Sequence, residues 1–102
     1  MTVFRLTVRT KDGARYISDY REQYMAESVR SKLLNRPDAI AYNWREGDTT
    51  ASIVLGSLTG ITIERIEDAV PQEGMNVEER NRAVHSGGRP LYIGTIRIVE
   101  AV

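Results

Sequence analysis

His85 is the only histidine in this 102-residue chain, and there is no cysteine. One imidazole without thiolates cannot build a two-histidine or cysteine-based metal centre, so no metal is expected. Disulfide frameworks and cysteine nucleophiles are excluded for the same reason. His85 stands beside Ser86, Gly87, Gly88 and Arg89, and a glycine-rich backbone can turn successive amides toward an anion. The segment lacks the Lys-Ser or Lys-Thr ending of a phosphate loop and the strand-to-helix setting of a dinucleotide fingerprint. An exposed loop histidine is the plainer reading. The acidic neighbours Glu67-Asp68 and Glu78-Glu79 do not converge, whereas acid–base catalysis needs two groups around one substrate with separated pKa values. The serines carry no nucleophile-elbow motif. No catalytic residue and no cofactor site emerges, and a non-enzymatic protein is expected.

Binding is the remaining chemistry, and the charge pattern bounds it. Fourteen basic residues balance fourteen acidic ones, which argues against non-specific wrapping of nucleic acid, because phosphate affinity grows with accumulated positive charge. A local patch is still allowed. Twelve of the basic residues are arginine and only Lys11 and Lys32 are lysine; codon usage in a GC-rich genome explains such a bias, and so does the suitability of the guanidinium fork for carboxylates and interfaces. Two surfaces stand out. One is an outward hairpin face of Arg5, Thr7, Arg9, Tyr16 and Ser18, with Arg9 paired to Tyr16 so that a guanidinium can lie over a ring. The other is a helix flank carrying Tyr20 and Tyr24 beside Arg21. Arginine and tyrosine concentrate binding energy at interfaces, although a solvated sheet face and a half-buried core rim are the ordinary alternatives.

The elements that hold these residues follow from periodicity. Val3 to Arg9 alternates, with Phe4, Leu6 and Val8 on one face, as in a half-buried strand. Asp12-Gly13 suits a tight hairpin turn. A two-residue loop there pairs Val8 with Ile17, Arg9 with Tyr16 and Thr7 with Ser18. Asp19, three residues before Glu22, has capping-box spacing, and a helix is expected from Tyr20 to Asn35. Met25, Val29 and Leu33, flanked by Glu22 and Ala26, form its buried stripe; Asn35 in a left-handed conformation and Arg36-Pro37 end it.

Three further strands read as an antiparallel meander. A Glu46-Gly47 tip sets Ile40 against Ile53, Tyr42 against Ala51 and Trp44 against Thr49. A turn over Gly56 to Gly60 then sets Leu55 against Ile61 and Ile53 against Ile63. Residues 1–68 thus make a ββαβββ unit of α+β class, with one helix packed on an antiparallel sheet. Residues 69–90 read as a loop-rich excursion with a short helix over Val77 to His85 capped by Asn76, and residues 91–102 carry a C-terminal strand. The whole length suits a single domain.

Leu91 to Val99 is apolar on both sides of a strand. Such a strand wants cover twice, and a second subunit is one source of it, so Tyr92, Ile93, Ile96 and Ile98 are the expected homo-oligomer interface. No apolar run approaches the roughly 20 residues of a membrane helix, no signal-peptide core is evident, and a cytoplasmic, non-membrane protein is expected.

The Asp12-Gly13 hairpin leading to a helix, and the meander ending in Leu55-x-x-Leu58-Thr59-x-Ile61-x-Ile63, resemble the layout of small accessory proteins encoded by actinobacterial phages. The similarity covers the first two-thirds of the chain and transfers no functional residue. It implies action by binding a host or phage macromolecule. The expected function is a protein-binding accessory module using Arg5, Arg9, Tyr16, Tyr20 and Tyr24; the alternative is a nucleic-acid-binding accessory protein using the arginine-rich hairpin face.

Overall fold

The computed structural model describes residues 2–35, 39–67, 69–70 and 89–99. Arg36-Pro37, Asp68, the helix expected over Val77–His85 with its Asn76 cap, the Glu78-Glu79 pair and the glycine-rich stretch at Gly87-Gly88 lie outside them. The fold is α+β, with one helix on an antiparallel sheet, as the periodicity requires.

The first hairpin joins β1 (Val3–Thr10) to β2 (Arg15–Tyr20). Its loop is one residue longer than the sequence suggests. The Thr10 amide donates to the Ala14 carbonyl at 3.1 Å and the Gly13 amide to the Thr10 carbonyl at 3.0 Å, with Gly13 at φ +87°. This is the three-residue loop that ends on a left-handed glycine. Lys11 joins the loop, so the pairs become Arg9 with Arg15, Val8 with Tyr16, Thr7 with Ile17 and Leu6 with Ser18. Because side chains alternate, that single step turns Tyr16 and Ser18 to the apolar face and Arg15 and Ile17 to the outward one.

Asp19 does not cap the helix. It lies within β2, and α1 (Gln23–Leu34) begins after Glu22 with no side-chain cap. Ala26, Val29 and Leu33 are its buried stripe, whereas Met25 is 41% exposed. Asn35 closes the helix through its amide to the Ser31 carbonyl at φ −106°, not in a left-handed conformation.

β3 (Ala41–Glu46) and β4 (Thr49–Val54) form a hairpin around Gly47-Asp48. Tyr42 faces Ile53 and Trp44 faces Ala51, two residues from the expected register. An even shift preserves the inward faces, so Trp44, Ala51 and Ile53 still enter the core, but Ile40 is left 84% exposed. The meander stops there. After a 3-10 turn at Leu55–Ser57, β5 (Leu58–Ile66) leaves β4 and pairs antiparallel with β1, setting Ile61 against Val8 and Ile63 against Leu6. Both destinations turn Ile61 and Ile63 toward the apolar face, where they are half-buried, and pairing with β1 lets the β3–β4 hairpin cover the sheet instead of extending it.

The two-residue strands β6 (Ala69–Val70) and β7 (Arg89–Pro90) pair in parallel. The chain then returns along β2, ending in β8 (Arg97–Val99) and giving the sheet order β5-β1-β2-β8. Of the expected oligomer residues, Ile96 is buried in this chain's own main core and Ile93 packs on Val3 and Ile66 on the far side of the sheet. Only Ile98 is largely exposed, at 52%. The cover sought from a second subunit is supplied to Ile93 and Ile96 in cis. Among the described residues no helix is long and apolar enough to cross a membrane.

Candidate functional site

The sheet face turned away from α1 carries the candidate binding residues as a grid, because directly paired residues share a face. One row reads Gly60, Arg9, Arg15 and Val99; the next reads Thr62, Thr7, Ile17 and Arg97. A third holds Glu64, Arg5 and Asp19, and a fourth Ile66 and Val3. Arg9, Arg15 and Arg97 are exposed. Arg9 and Arg15 stand directly opposite one another and Arg97 lies on the diagonal from Arg15. Arg9 Nη1 donates to Thr62 Oγ1 at 3.3 Å. Among the described residues, no carboxylate forms an ion pair with any of the three.

Arg5 belongs to a different environment. Its Nε and Nη2 donate to the two carboxylate oxygens of Asp19 at 2.9 and 3.0 Å, and the Asp19 side chain is fully buried. Burial pulls the Arg5 pKa down, but the hydrogen bond and charge of Asp19, with smaller help from Tyr92 and Glu64, outweigh it and leave the pKa raised. Asp19 also takes the Tyr92 amide at 2.8 Å, while its own amide donates to the Tyr92 carbonyl at 3.0 Å. Arg5 and Arg97 lie over the Tyr92 ring, 5.2 and 6.0 Å from its centroid. The buried ion pair thus pins the C-terminal segment to β2 and sets Arg97 on the exposed grid.

Two further contacts fix that segment. Ser18 Oγ donates to the Thr95 carbonyl at 2.7 Å, and the Ile96 amide donates to Thr49 Oγ1 at 2.8 Å. The turn at Gly47 (φ +57°) is pressed against Gly94, whose carbonyl oxygen occupies the place where any Cβ at position 47 would go.

The tyrosines do not form one surface. Tyr20 is buried at 5% exposure; its hydroxyl donates to Glu46 Oε1 at 2.5 Å and accepts from Trp44 Nε1 at 3.1 Å. Burial, reinforced by the Glu46 carboxylate, drives its pKa well above the ordinary tyrosine value. Tyr24 points outward from α1 and is 69% exposed. Tyr16 lines a cleft of about 370 Å³ between the first hairpin loop and β4, with Lys11, Asp12, Ser52 and Ser57. The Asp12 carboxylate in that cleft is occupied by the Thr10 hydroxyl and the Ala14 amide, which lower its pKa.

Of the residues expected from sequence, Arg5 and Arg9 therefore share a face, while Tyr16, Tyr20 and Tyr24 lie elsewhere. Arg15 and Arg97 were missed. The alternation Ile96-Arg97-Ile98 already sets Arg97 apart from its apolar neighbours, and a three-residue first loop would have placed Arg15. Among the described residues, no cluster of three or more His, Asp or Glu side chains is arranged to hold a metal ion. No family model, curated protein or solved structure matches the chain.

Proposed function

We propose that this protein is a small, non-enzymatic binding module whose arginine face engages an acidic surface on a protein partner. One observation carries the reading: Arg9 and Arg15 face each other, with Arg97 beside them, and none is matched by a carboxylate among the described residues. Like charges placed directly opposite destabilise a sheet, so folding alone gives no reason for the pattern, whereas an anionic partner does. Guanidinium groups suit carboxylate partners in their geometry. The resemblance in layout to actinobacterial phage accessory proteins fits action on a host or phage protein in the cytoplasm.

Single-stranded nucleic acid is the competing anion, but stacking platforms are what such sites add to positive charge. The tyrosine expected to serve as one, Tyr16, is on the other face, and Tyr92 already has Arg5 and Arg97 against its ring. The test is a titration with a decaglutamate peptide and, separately, with an oligothymidylate of equal charge over a range of salt. Peptide binding that the Arg15→Ala/Arg97→Ala variant loses supports the reading. Tighter oligonucleotide binding, with a steep linear fall against log salt, transfers the face to nucleic acid, and binding to neither probe removes its functional role.

A further inference from the structure

The two edges of the sheet are unequal. β8 is three residues long and carries Arg97, a short and charged edge of the kind that discourages further pairing. β5 is nine residues long and contains no proline; its charges, Glu64 and Arg65, stand together in its second half, and its only register shift is at its beginning, opposite Arg9 and Thr10. Among the described residues no strand pairs with its outer side. A long edge is a template for another strand when the two strands' charges and apolar residues match.

We propose that the strand it takes is β5 of a second copy of this chain, paired antiparallel about a two-fold axis through Thr62. The sequence of β5 is self-complementary in that register. Ile61 meets the partner's Ile63 on the helix side, where both are half-buried in the single chain. Thr62 meets its own copy on the axis, and Thr59 meets the partner's Arg65. Gly60 meets the partner's Glu64, which brings a carboxylate into the row of Arg9. Gly60 has no positive φ to require glycine, and the space where its Cβ would sit is open to 4 Å. A glycine inside a strand often marks the close approach of something else. The next residue in its row is Arg9. The partner's Glu64 therefore crosses the bare Gly60 to reach Arg9 over two strand spacings, about 10 Å between Cα atoms, within the combined reach of the two side chains. Symmetry makes the contact twice, as a closed two-fold interface must.

Arg9 belongs to both this interface and the proposed partner site, whereas Arg15 and Arg97 belong to the partner site alone, so the Arg15→Ala/Arg97→Ala variant tests that site without removing the dimer contact. A two-fold axis perpendicular to the sheet also puts both arginine faces on the same side of the dimer. Self-association moves from the C-terminal strand, where the sequence places it, to β5.

Charge reversal tests the pairing, using sedimentation or light scattering of the full chain at tens of micromolar. Within one chain Arg9 and Glu64 lie in rows two apart and cannot compensate for each other directly. Wild type is expected at twice the chain mass. Arg9→Glu and Glu64→Arg, both at exposed positions, are each expected to weaken dimerisation about tenfold or more, because two contacts turn repulsive at once; Glu64 also stands opposite Arg5 in its own chain, so the milder Glu64→Gln is measured beside it and should weaken the dimer while the unfolding transition of the monomer is kept. An equimolar mixture of the two charge-reversal variants restores both contacts and with them the dimer. Amide exchange in wild type should slow at Ile61–Ile63 and quicken on dilution. A monomeric wild type, single variants that dimerise normally, or a mixture that stays monomeric overturns the proposal.

Discussion

On the helix side of the sheet, Leu6, Val8, Ser18 and Tyr20 lie under α1 and the β3–β4 hairpin and are almost wholly buried. On the opposite side of the same strands, Val3 and Asp19 are equally buried, but two rows further along Arg9 and Arg15 are exposed and face each other. The difference separates two uses of arginine. Arg5, beside a buried carboxylate, is part of the fold; Arg9, Arg15 and Arg97 have like-charged neighbours and lack carboxylate partners among the described residues, and the fold gains little from their charge beyond the Arg97 contact with the Tyr92 ring and the Arg9 hydrogen bond to Thr62. A surface that serves binding is expected to be one the fold can lose.

Substitutions should therefore divide along that line. Asp19→Ala removes one partner of a buried ion pair and frees the Tyr92 amide, and should cost about 3–5 kcal/mol in denaturant unfolding. Gly47→Val places a branched side chain at positive φ and against the Gly94 carbonyl, for a loss of about 2–3 kcal/mol. The same variant should lose amide protection at Ile96, because the loop cannot stay seated on Thr49.

Tyr20→Phe deletes two hydrogen bonds, the one to Glu46 and the one from Trp44, whose Nε1 keeps Glu46 Oε1 as a partner, and should cost about 1–2 kcal/mol near neutral pH. It also changes the pH profile. The folded-state pKa of Tyr20 lies above its unfolded value of 10.0, so its contribution is fully present below pH 10 and is lost as pH rises beyond it. Alkaline unfolding followed by Trp44 fluorescence should accordingly be shallower in the phenylalanine variant. The smallest effect belongs to the arginine face: Arg15→Ala should change stability by no more than about 0.5 kcal/mol, in the stabilising direction, because it relieves the contact with Arg9.

The same contrast sets how much was legible in the sequence. Strand and helix identities follow from apolar spacing, and the stripe of Ala26, Val29 and Leu33 was readable save for Met25, which the orientation of α1 leaves half out. Register was not readable. Asp12-Gly13 satisfies a two-residue and a three-residue loop alike, and whether Lys11 belongs to the loop decides which of Arg15 and Tyr16 faces outward. Asp19 precedes Glu22 by a capping spacing, yet Arg5 and the Tyr92 amide, 14 and 73 residues away, claim its carboxylate. Long-range partners of this kind leave no local trace. The destination of β5 was ambiguous because β4 and β1 turn its isoleucines toward the apolar face equally well, and only three-dimensional packing of the β3–β4 hairpin decides between them.

The most direct measurement is arginine side-chain NMR during titration with the decaglutamate peptide, with unfolding of the Arg15→Ala/Arg97→Ala variant run on the same preparation. The Nε resonances of Arg15 and Arg97 should shift while that of Arg5 stays fixed, and the variant should stop binding at undiminished stability. Shifts confined to Arg21, Arg30 and Arg45, or a variant that loses stability as steeply as Asp19→Ala, would contradict the assignment of this face to binding.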